Sequence, residues 1–161
     1  MDRQQFIQEV KGSQPALRRL LTALCSGNRA EADDIAQEAY LRAYLSLDSF
    51  RGQASFATWI RRIAVNEFIS SRRRERASAP LTALETTPSE STADSAFRYQ
   101  ALYAALAELP RRERAAVTLF YLEGYASKEV AAIMDTEDGA VRKMLSRARG
   151  RLQTLLKPSH S

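Results

Sequence analysis

The sequence contains few of the side chains from which catalytic and metal sites are usually built. Its single cysteine is Cys25 and its single histidine is His160, so neither an internal disulfide nor a Cys/His zinc site can form. It also lacks a P-loop and a glycine-rich dinucleotide turn. We therefore expect neither an enzyme nor a cofactor, since a nuclease or a recombinase would need a nucleophile or a metal cluster. Cys25 follows an apolar stretch, which predicts a buried thiol.

Long apolar runs are missing as well. No stretch of about 18 apolar residues occurs, and no charged-then-apolar signal segment opens the chain, so we expect a cytoplasmic protein that does not insert into the membrane. Strand signals are scarce, because apolar and polar residues never alternate for long, whereas helical periodicity is widespread. With 45% hydrophobic and 27% charged residues, the composition is that of a folded chain. The predicted fold class is all-α.

A stretch without lysine or arginine divides the chain. Residues 77–97 are rich in serine, threonine, alanine and proline and carry three acids, which is typical of a flexible linker. Residues 1–76 carry 13 basic and 9 acidic side chains and residues 98–161 carry 11 and 7, so each flank has a net charge of +4. We predict two small helical domains, at 1–76 and 98–157, whose basic balance is compatible with a nucleic-acid partner.

The helix predicted over residues 31–47 has two contrasting faces. Ile35, Ala39 and Ala43 recur on the side that should face the core. The opposite side combines polar residues with leucines: Asp34, Gln37, Glu38, Leu41 and Leu45. A solvated face does not normally carry two leucines, which indicates a docking surface for another protein. Packing of both leucines on a neighbouring helix is the alternative.

A second helix is predicted after a loop that contains Phe50, with Ser55 as its N-cap and its end near residue 76. One face of this helix carries Trp59, Arg62, Asn66 and Arg73. Arginine binds phosphate, an aromatic ring stacks on unpaired bases and asparagine hydrogen-bonds a base edge, so the combination favours a nucleic acid. Taken singly, the tryptophan is explained by core packing and the arginine-rich end by the helix dipole.

Four helices are predicted in the second domain, at 98–108, 111–122, 127–134 and 138–156. The last two are separated by a few residues around Asp135, which is typical of a helix-turn-helix whose second helix enters the major groove. The outward face of that second helix carries Ala140, Lys143, Ser146 and Arg147. Because many regulators share this motif, the motif alone does not specify a function.

Both halves of the sequence resemble one family. Residues 34–44, 50–52 and 56–66 are similar to regions 2.2, 2.3 and 2.4 of the extracytoplasmic-function (ECF) sigma factors. Residues 109–114, 121–124, 129–131 and 141–149 are similar to region 4 of that family. The resemblance implies an alternative sigma factor that binds the clamp and flap of core RNA polymerase and directs initiation at specific promoters. It further implies control by an anti-sigma factor, a membrane-anchored one included.

The resemblance also implies roles for individual residues. The face from Asp34 to Leu45 would bind the clamp. In this family a base of the −10 element flips out of the non-template strand into a pocket, for which the similarity indicates Phe50 and Asn66. Trp59 and Arg62 would support or contact the strand at the junction, and the outward face of the last helix would read the −35 element.

The chain departs from the family pattern in the −35 reader. Ala126 stands where a serine or threonine cap is usual, Met144 where an arginine is common, and residues 135–137 where a Gly-apolar-Ser turn is usual. The acids Glu137 and Asp138 suit the helix dipole and can accept from cytosine, but they repel phosphate. Either the −35 preference is unusual or this domain binds DNA weakly alone. The acidic turn leaves open a sigma-like decoy that does not initiate transcription, and a self-sufficient helix-turn-helix regulator is a further alternative.

Overall fold

The structure is a computed structural model that describes residues 1–52, 54–71 and 93–156. Every regular element within these residues is helical, which confirms the all-α prediction. The helices are α1 (Arg3–Leu24), α2 (Arg29–Leu45), α3 (Phe56–Ser70), α4 (Ala93–Ala107), α5 (Arg111–Val117), α6 (Ser127–Met134) and α7 (Asp138–Leu156). A 3₁₀ turn follows α2 at Leu47–Ser49, and a π turn continues α5 over Thr118–Leu122.

Helix α1 has no counterpart among the predicted helices. Pro15 lies in its middle, where a proline removes a backbone donor and clashes with the preceding turn. Its N-terminus is closed by a capping box between Asp2 and Gln5, with hydrogen bonds of 2.8 and 2.9 Å. Burial of Leu17, Leu20, Leu21 and Leu24 against α2 and α3 stabilises the helix despite the proline.

The three N-terminal helices form one layer of the core. The inner face predicted for α2 is confirmed, since Ile35, Ala39 and Ala43 are all fully buried. They pack against α3, whose Ile60 and Phe68 are also inaccessible to solvent. Cys25 is buried at the end of α1, as predicted.

Three predicted boundaries are corrected. Helix α2 spans Arg29–Leu45 rather than 31–47, because the Asn28 side chain accepts from the Glu31 N–H at 3.1 Å and so starts the helix earlier. Helix α3 ends at Ser70 rather than near 76, and Arg73 lies outside the described residues. Helix α4 begins by Ala93, inside the segment predicted as linker; a lack of basic residues does not oppose helix formation.

The C-terminal helices build the predicted helix-turn-helix. Helices α6 and α7 have the predicted bounds, and Val130, Ile133, Val141 and Leu145 pack between them and α5. Asp135 joins the two helices in the left-handed conformation, with φ 56° and ψ 51°. Aspartate tolerates this region better than most residues, which explains how it replaces the glycine usual in the family.

The N-cap of α3 gives a stability test. The Ser55 hydroxyl accepts from the Thr58 N–H at 3.1 Å, so Ser55→Ala should lower the free energy of unfolding by about 1 kcal/mol. The matched control is Ser70→Ala in the same helix, because the Ser70 hydroxyl caps no N–H group and donates back to the Asn66 and Glu67 carbonyls. Urea denaturation measures both variants. Equal losses in the two would contradict the capping role.

Candidate functional site

The outer face of α2 presents apolar side chains to solvent. Leu41 is 53% exposed and Leu45 is 74% exposed, so neither packs on a neighbouring helix and that alternative is wrong. Asp34 and Gln37 are exposed beside them, and Glu38 is half-buried. The structure therefore leaves the predicted clamp-binding face open to a protein partner.

Sequence reasoning missed one member of this face. Tyr44 follows Leu41 by three positions, the helical spacing that places it on the same side, and it is 44% exposed. Its ring also contacts Phe6 of α1, with the centroids 5.6 Å apart. Tyrosine is enriched in protein interfaces because it adds contact area with little conformational freedom to lose.

A buried carboxylate connects this face to α3. Glu67 accepts from Arg42 with an Nε–Oε2 distance of 2.9 Å, and its side chain is only 9% exposed. Arg42 also lies 3.6 Å from Glu38. Because Arg42 follows Leu41 and Glu67 follows Asn66, the pair links the predicted protein-binding face of α2 to the predicted strand-binding face of α3.

An aromatic cluster holds the loop before α3 against that helix. The ring of Phe50 lies 4.8 Å from that of Trp59 and 6.3 Å from that of Phe56, measured between centroids. Gly52 turns the chain with φ 71°, a conformation that favours glycine. Phe50 and Trp59 are both half-buried, so each keeps part of its ring accessible to a base.

The remaining residues of this face lie further along α3. Asn66 is exposed and follows Trp59 by seven residues, which places it about 10 Å along the helix axis. Arg62, between them, is half-exposed and forms an ion pair with Asp135 of the helix-turn-helix, with Nη2 and Oδ1 2.8 Å apart. The structure thus brings Phe50 and Trp59 together and places Arg62 against the second half of the chain.

Next to this ion pair, Arg61 faces the end of the π turn. Its Nε lies 3.6 Å from Glu123 and its guanidinium lies over the Tyr125 ring at 5.8 Å from the centroid. Burial raises the pKa of Tyr125 above its ordinary value, against an opposite effect of Arg61. The phenol therefore stays neutral at physiological pH, and the face of its ring attracts the guanidinium.

The outer face of α7 is open in the described part of the chain. Lys143, Ser146 and Arg147 are exposed, and Ala140 is half-buried near the start of the helix. Arg142 pairs with Asp138 one turn earlier at 3.0 Å, which reduces the local negative charge that the sequence suggested. Exposed apolar side chains that were not predicted lie on the π turn (Tyr121 and Leu122) and at the end of α7 (Leu155 and Leu156), and Tyr121 and Leu156 line one shallow pocket.

Two kinds of feature are absent from the described residues. No helix among them is long and apolar enough to cross a membrane. Within the same ranges, no three histidine, cysteine or acidic side chains lie close enough together to hold a metal ion.

Comparison with known proteins decides the family. The family model Sigma-70 region 2 matches residues 10–78, and the model Sigma-70, region 4 matches residues 99–152. The chain is 34% identical over 143 residues to the ECF RNA polymerase sigma-E factor of Escherichia coli (strain K12), covering 80% of this chain and 75% of that protein. The chain belongs to the ECF sigma factors. An ECF sigma factor is an alternative sigma factor, which acts with core RNA polymerase to initiate transcription at specific promoters.

Solved structures show the same fold as this ECF sigma factor. The sigma factor RpoE of Bartonella quintana, solved with the anti-sigma factor NepR, matches with a TM-score of 0.70 and 29% identity, over 96% of this chain and 98% of that one. CnrH, solved with the cytosolic domain of CnrY, matches with a TM-score of 0.68 over 96% and 89% of the two chains. At 23% identity the second likeness concerns the fold alone.

Proposed function

We propose that this ECF sigma factor binds the clamp of core RNA polymerase through the outer face of α2 and opens the −10 element with α3. The observation that carries the proposal is the pairing of Arg42 with Glu67 at 2.9 Å. It joins an exposed apolar face, around Leu41 and Leu45, to an aromatic and polar face on the adjacent helix. A plain DNA-binding regulator needs neither face.

In the −10 element, Phe50 and Asn66 would receive the flipped base, while Trp59 and Arg62 would support the strand at the junction. The contact of the tilted rings of Phe50 and Trp59 supports this assignment, because a pre-packed pair offers a surface to an unpaired base with less ordering cost. Arg73 lies outside the described residues, and it would add to Arg62 a second positive charge for the DNA phosphates. The cost of unstacking the base, a few kcal/mol, would be offset by these contacts.

In the −35 element, Ala140, Lys143, Ser146 and Arg147 would face the major groove or its phosphates. Their exposure on one side of α7 supports the assignment. The exposed apolar side chains of Tyr121 and Leu156, which line one shallow pocket, suit a second protein contact, and we assign them to the polymerase flap. The domain limits 1–76 and 98–157, with a linker over 77–97, remain part of the proposal and are supported by two separate family matches.

We further propose that an anti-sigma factor controls this chain. Support comes from a structural relative, the sigma factor RpoE of Bartonella quintana, which was solved with the anti-sigma factor NepR. The proposed place of action is the cytoplasm, where polymerase and chromosome lie. We assign no catalytic residue and no cofactor.

Transcription with purified components tests the proposal. Core polymerase is incubated with a library of fragments from the source genome, with and without the purified chain, and run-off transcripts are sequenced. We expect transcripts from a defined subset of fragments that depend on the chain. Tight duplex binding by the free chain without new transcripts would support the regulator, and core binding without transcripts would support the decoy.

A variant of Asn66 tests the strand-reading face. Asn66→Ala should reduce transcription from the selected promoters by about 5- to 160-fold, since a side chain paired with a base contributes roughly 1–3 kcal/mol of discrimination. Binding to core polymerase should not change. Ser70→Ala, one turn further along the same exposed side of α3, is the control and should transcribe normally. Weaker core binding by Asn66→Ala would contradict the assigned role.

A further inference from the structure

A basic groove lies between α1, the first turn of α2 and α4. Its volume is about 710 Å³, and four cationic side chains line it: Lys11, Arg18, Arg19 and Arg29. Among the described residues, no acidic side chain belongs to its lining. Cations gathered around one hollow repel each other until an anion binds among them, so the groove favours an anionic ligand.

The groove is separate from the residues assigned to promoter DNA. Arg29 is the first residue of α2 and Leu45 is the last, which places them about 24 Å apart along the helix axis. The loop that carries Phe50 follows the far end of α2. Strand binding by α3 and its preceding loop therefore does not explain the basic residues of the groove.

The cations of the groove are available to a ligand. All four are exposed, and within the described part of the chain Lys11, Arg19 and Arg29 form no ion pair. Arg18 lies 3.2 Å from Asp33, but the two side chains are 60% and 43% exposed, so water screens their attraction. A phosphate group could displace this carboxylate, because the two anions compete for the same donors.

A tyrosine supplies an aromatic wall. Tyr103 of α4 is half-buried and lies against the turn between α1 and α2, where a Cβ on Gly27 would be 3.8 Å from its Cδ2. The exposed Pro15 of α1 lines the same groove. An aromatic ring beside arginines suits a nucleotide, since the ring stacks on a base and the guanidinium groups bind phosphate.

The shape of the groove favours a free nucleotide over a DNA backbone. Small-molecule sites typically enclose about 300–1,000 Å³, and the groove lies within that range. A DNA strand presents its charges in an extended row, which a track of cations would match. Here the cations surround a single hollow, which suits the closely spaced charges of a diphosphate or triphosphate.

We propose that this groove binds a nucleoside diphosphate or triphosphate, with the arginines on the phosphates and Tyr103 on the base. The ligand would contact α1 and α2 from the N-terminal half of the chain and α4 from the C-terminal half. Binding would therefore stabilise the folded chain in proportion to the nucleotide concentration. The proposal does not depend on the roles assigned to α3 and α7.

Binding of GDP that carries a fluorescent methylanthraniloyl group tests the proposal. The full chain is titrated against this probe at one fixed salt concentration, and anisotropy is measured. We expect saturable binding that unlabelled GDP and pyrophosphate reverse and that guanosine does not. Absence of saturable binding, or displacement by guanosine as effective as that by GDP, would overturn the proposal.

Two pairs of arginines separate a built site from general attraction. Arg19→Ala combined with Arg29→Ala should weaken GDP binding by about 10-fold or more, because hydrogen bonds to charged groups are lost. The matched control combines Arg3→Ala with Arg112→Ala, which removes the same charge from exposed positions outside the groove. The control should bind within twofold of the wild type. Equal losses in the two variants would show that net charge alone attracts the nucleotide, and would overturn the proposal.

A substitution of the tyrosine tests recognition of the base. Tyr103→Leu keeps an apolar side chain in place, and it should weaken GDP binding about fivefold or more while leaving pyrophosphate binding unchanged. Equal effects on the two ligands would reject the nucleoside as part of the ligand. Circular dichroism checks the fold of each variant, and the arginine pairs decide the outcome if Tyr103→Leu is unfolded.

Two further competitors identify a different occupant. A short duplex of random sequence that displaces the probe as well as GDP, compared per phosphate, would assign the groove to a DNA backbone. A glutamate-rich peptide that displaces it as well as pyrophosphate would assign the groove to an acidic protein. Either result would overturn the proposal of a nucleotide site.

Discussion

Replacing Leu41 and Leu45 together with aspartate should reduce the affinity for core RNA polymerase by about 100-fold or more. Both side chains lie on the open face of α2, so their loss leaves the core of the protein intact. Apolar residues at the centre of an interface commonly contribute about 2 kcal/mol or more each, and an unpaired carboxylate buried there adds a further cost. About 2.8 kcal/mol already corresponds to a 100-fold change in Kd.

Competition with a labelled wild-type chain for core polymerase measures this effect. The matched control places two aspartates at Ala101 and Ala104, which are exposed on α4 outside the proposed interfaces. The control should bind core as the wild type does, and circular dichroism should show that both variants keep their helices. An affinity within twofold of the wild type for the leucine variant would reject the clamp-binding face.

Phe68→Ala should lower the free energy of unfolding by about 3–5 kcal/mol. Phe68 is fully buried in α3, and Arg111 and Arg114 lie over its ring at 4.4 and 5.5 Å from the centroid. Its removal leaves a cavity and also removes the surface on which the α5 arginines stack. Because the Phe68 ring lies where the N-terminal and C-terminal helices pack together, its removal should destabilise both halves of the protein.

Denaturation in guanidinium chloride measures this loss. The control is Ile69→Ala, the next residue, which is only half-buried and should cost clearly less. A loss below about 1 kcal/mol for Phe68→Ala would contradict its central position in the core.

Helix periodicity accounts for what could be predicted from the sequence. The two faces of α2 follow from residues three and four positions apart, so the inner side around Ile35 and the outer side around Leu41 could be separated without a structure. The bounds of α6 and α7 could also be predicted, because polar residues interrupt the apolar pattern between the two helices. Such features depend on neighbours within one or two turns.

Long-range packing accounts for what could not be predicted. The pair of Arg62 with Asp135 joins residues 73 positions apart, and no local pattern indicates which acid an arginine will meet. Arg111 and Arg114 would be expected at the surface, yet they are buried because the ends of α1 and α3 offer carbonyl oxygens to them. Helix α1 was missed for a similar reason: the buried leucines that offset Pro15 stabilise it only through contacts with other helices.

Opening of promoter DNA tests the central claim most directly. A promoter selected by run-off transcription is prepared with 2-aminopurine in its −10 element, and fluorescence is followed after adding core polymerase, the chain, or both. We predict a rise, which reports unstacking of the base, only when both are present, and a much smaller rise with Asn66→Ala. An equal rise with Asn66→Ala, or a rise with the chain alone, would contradict the claim that α3 opens the strand within a polymerase complex.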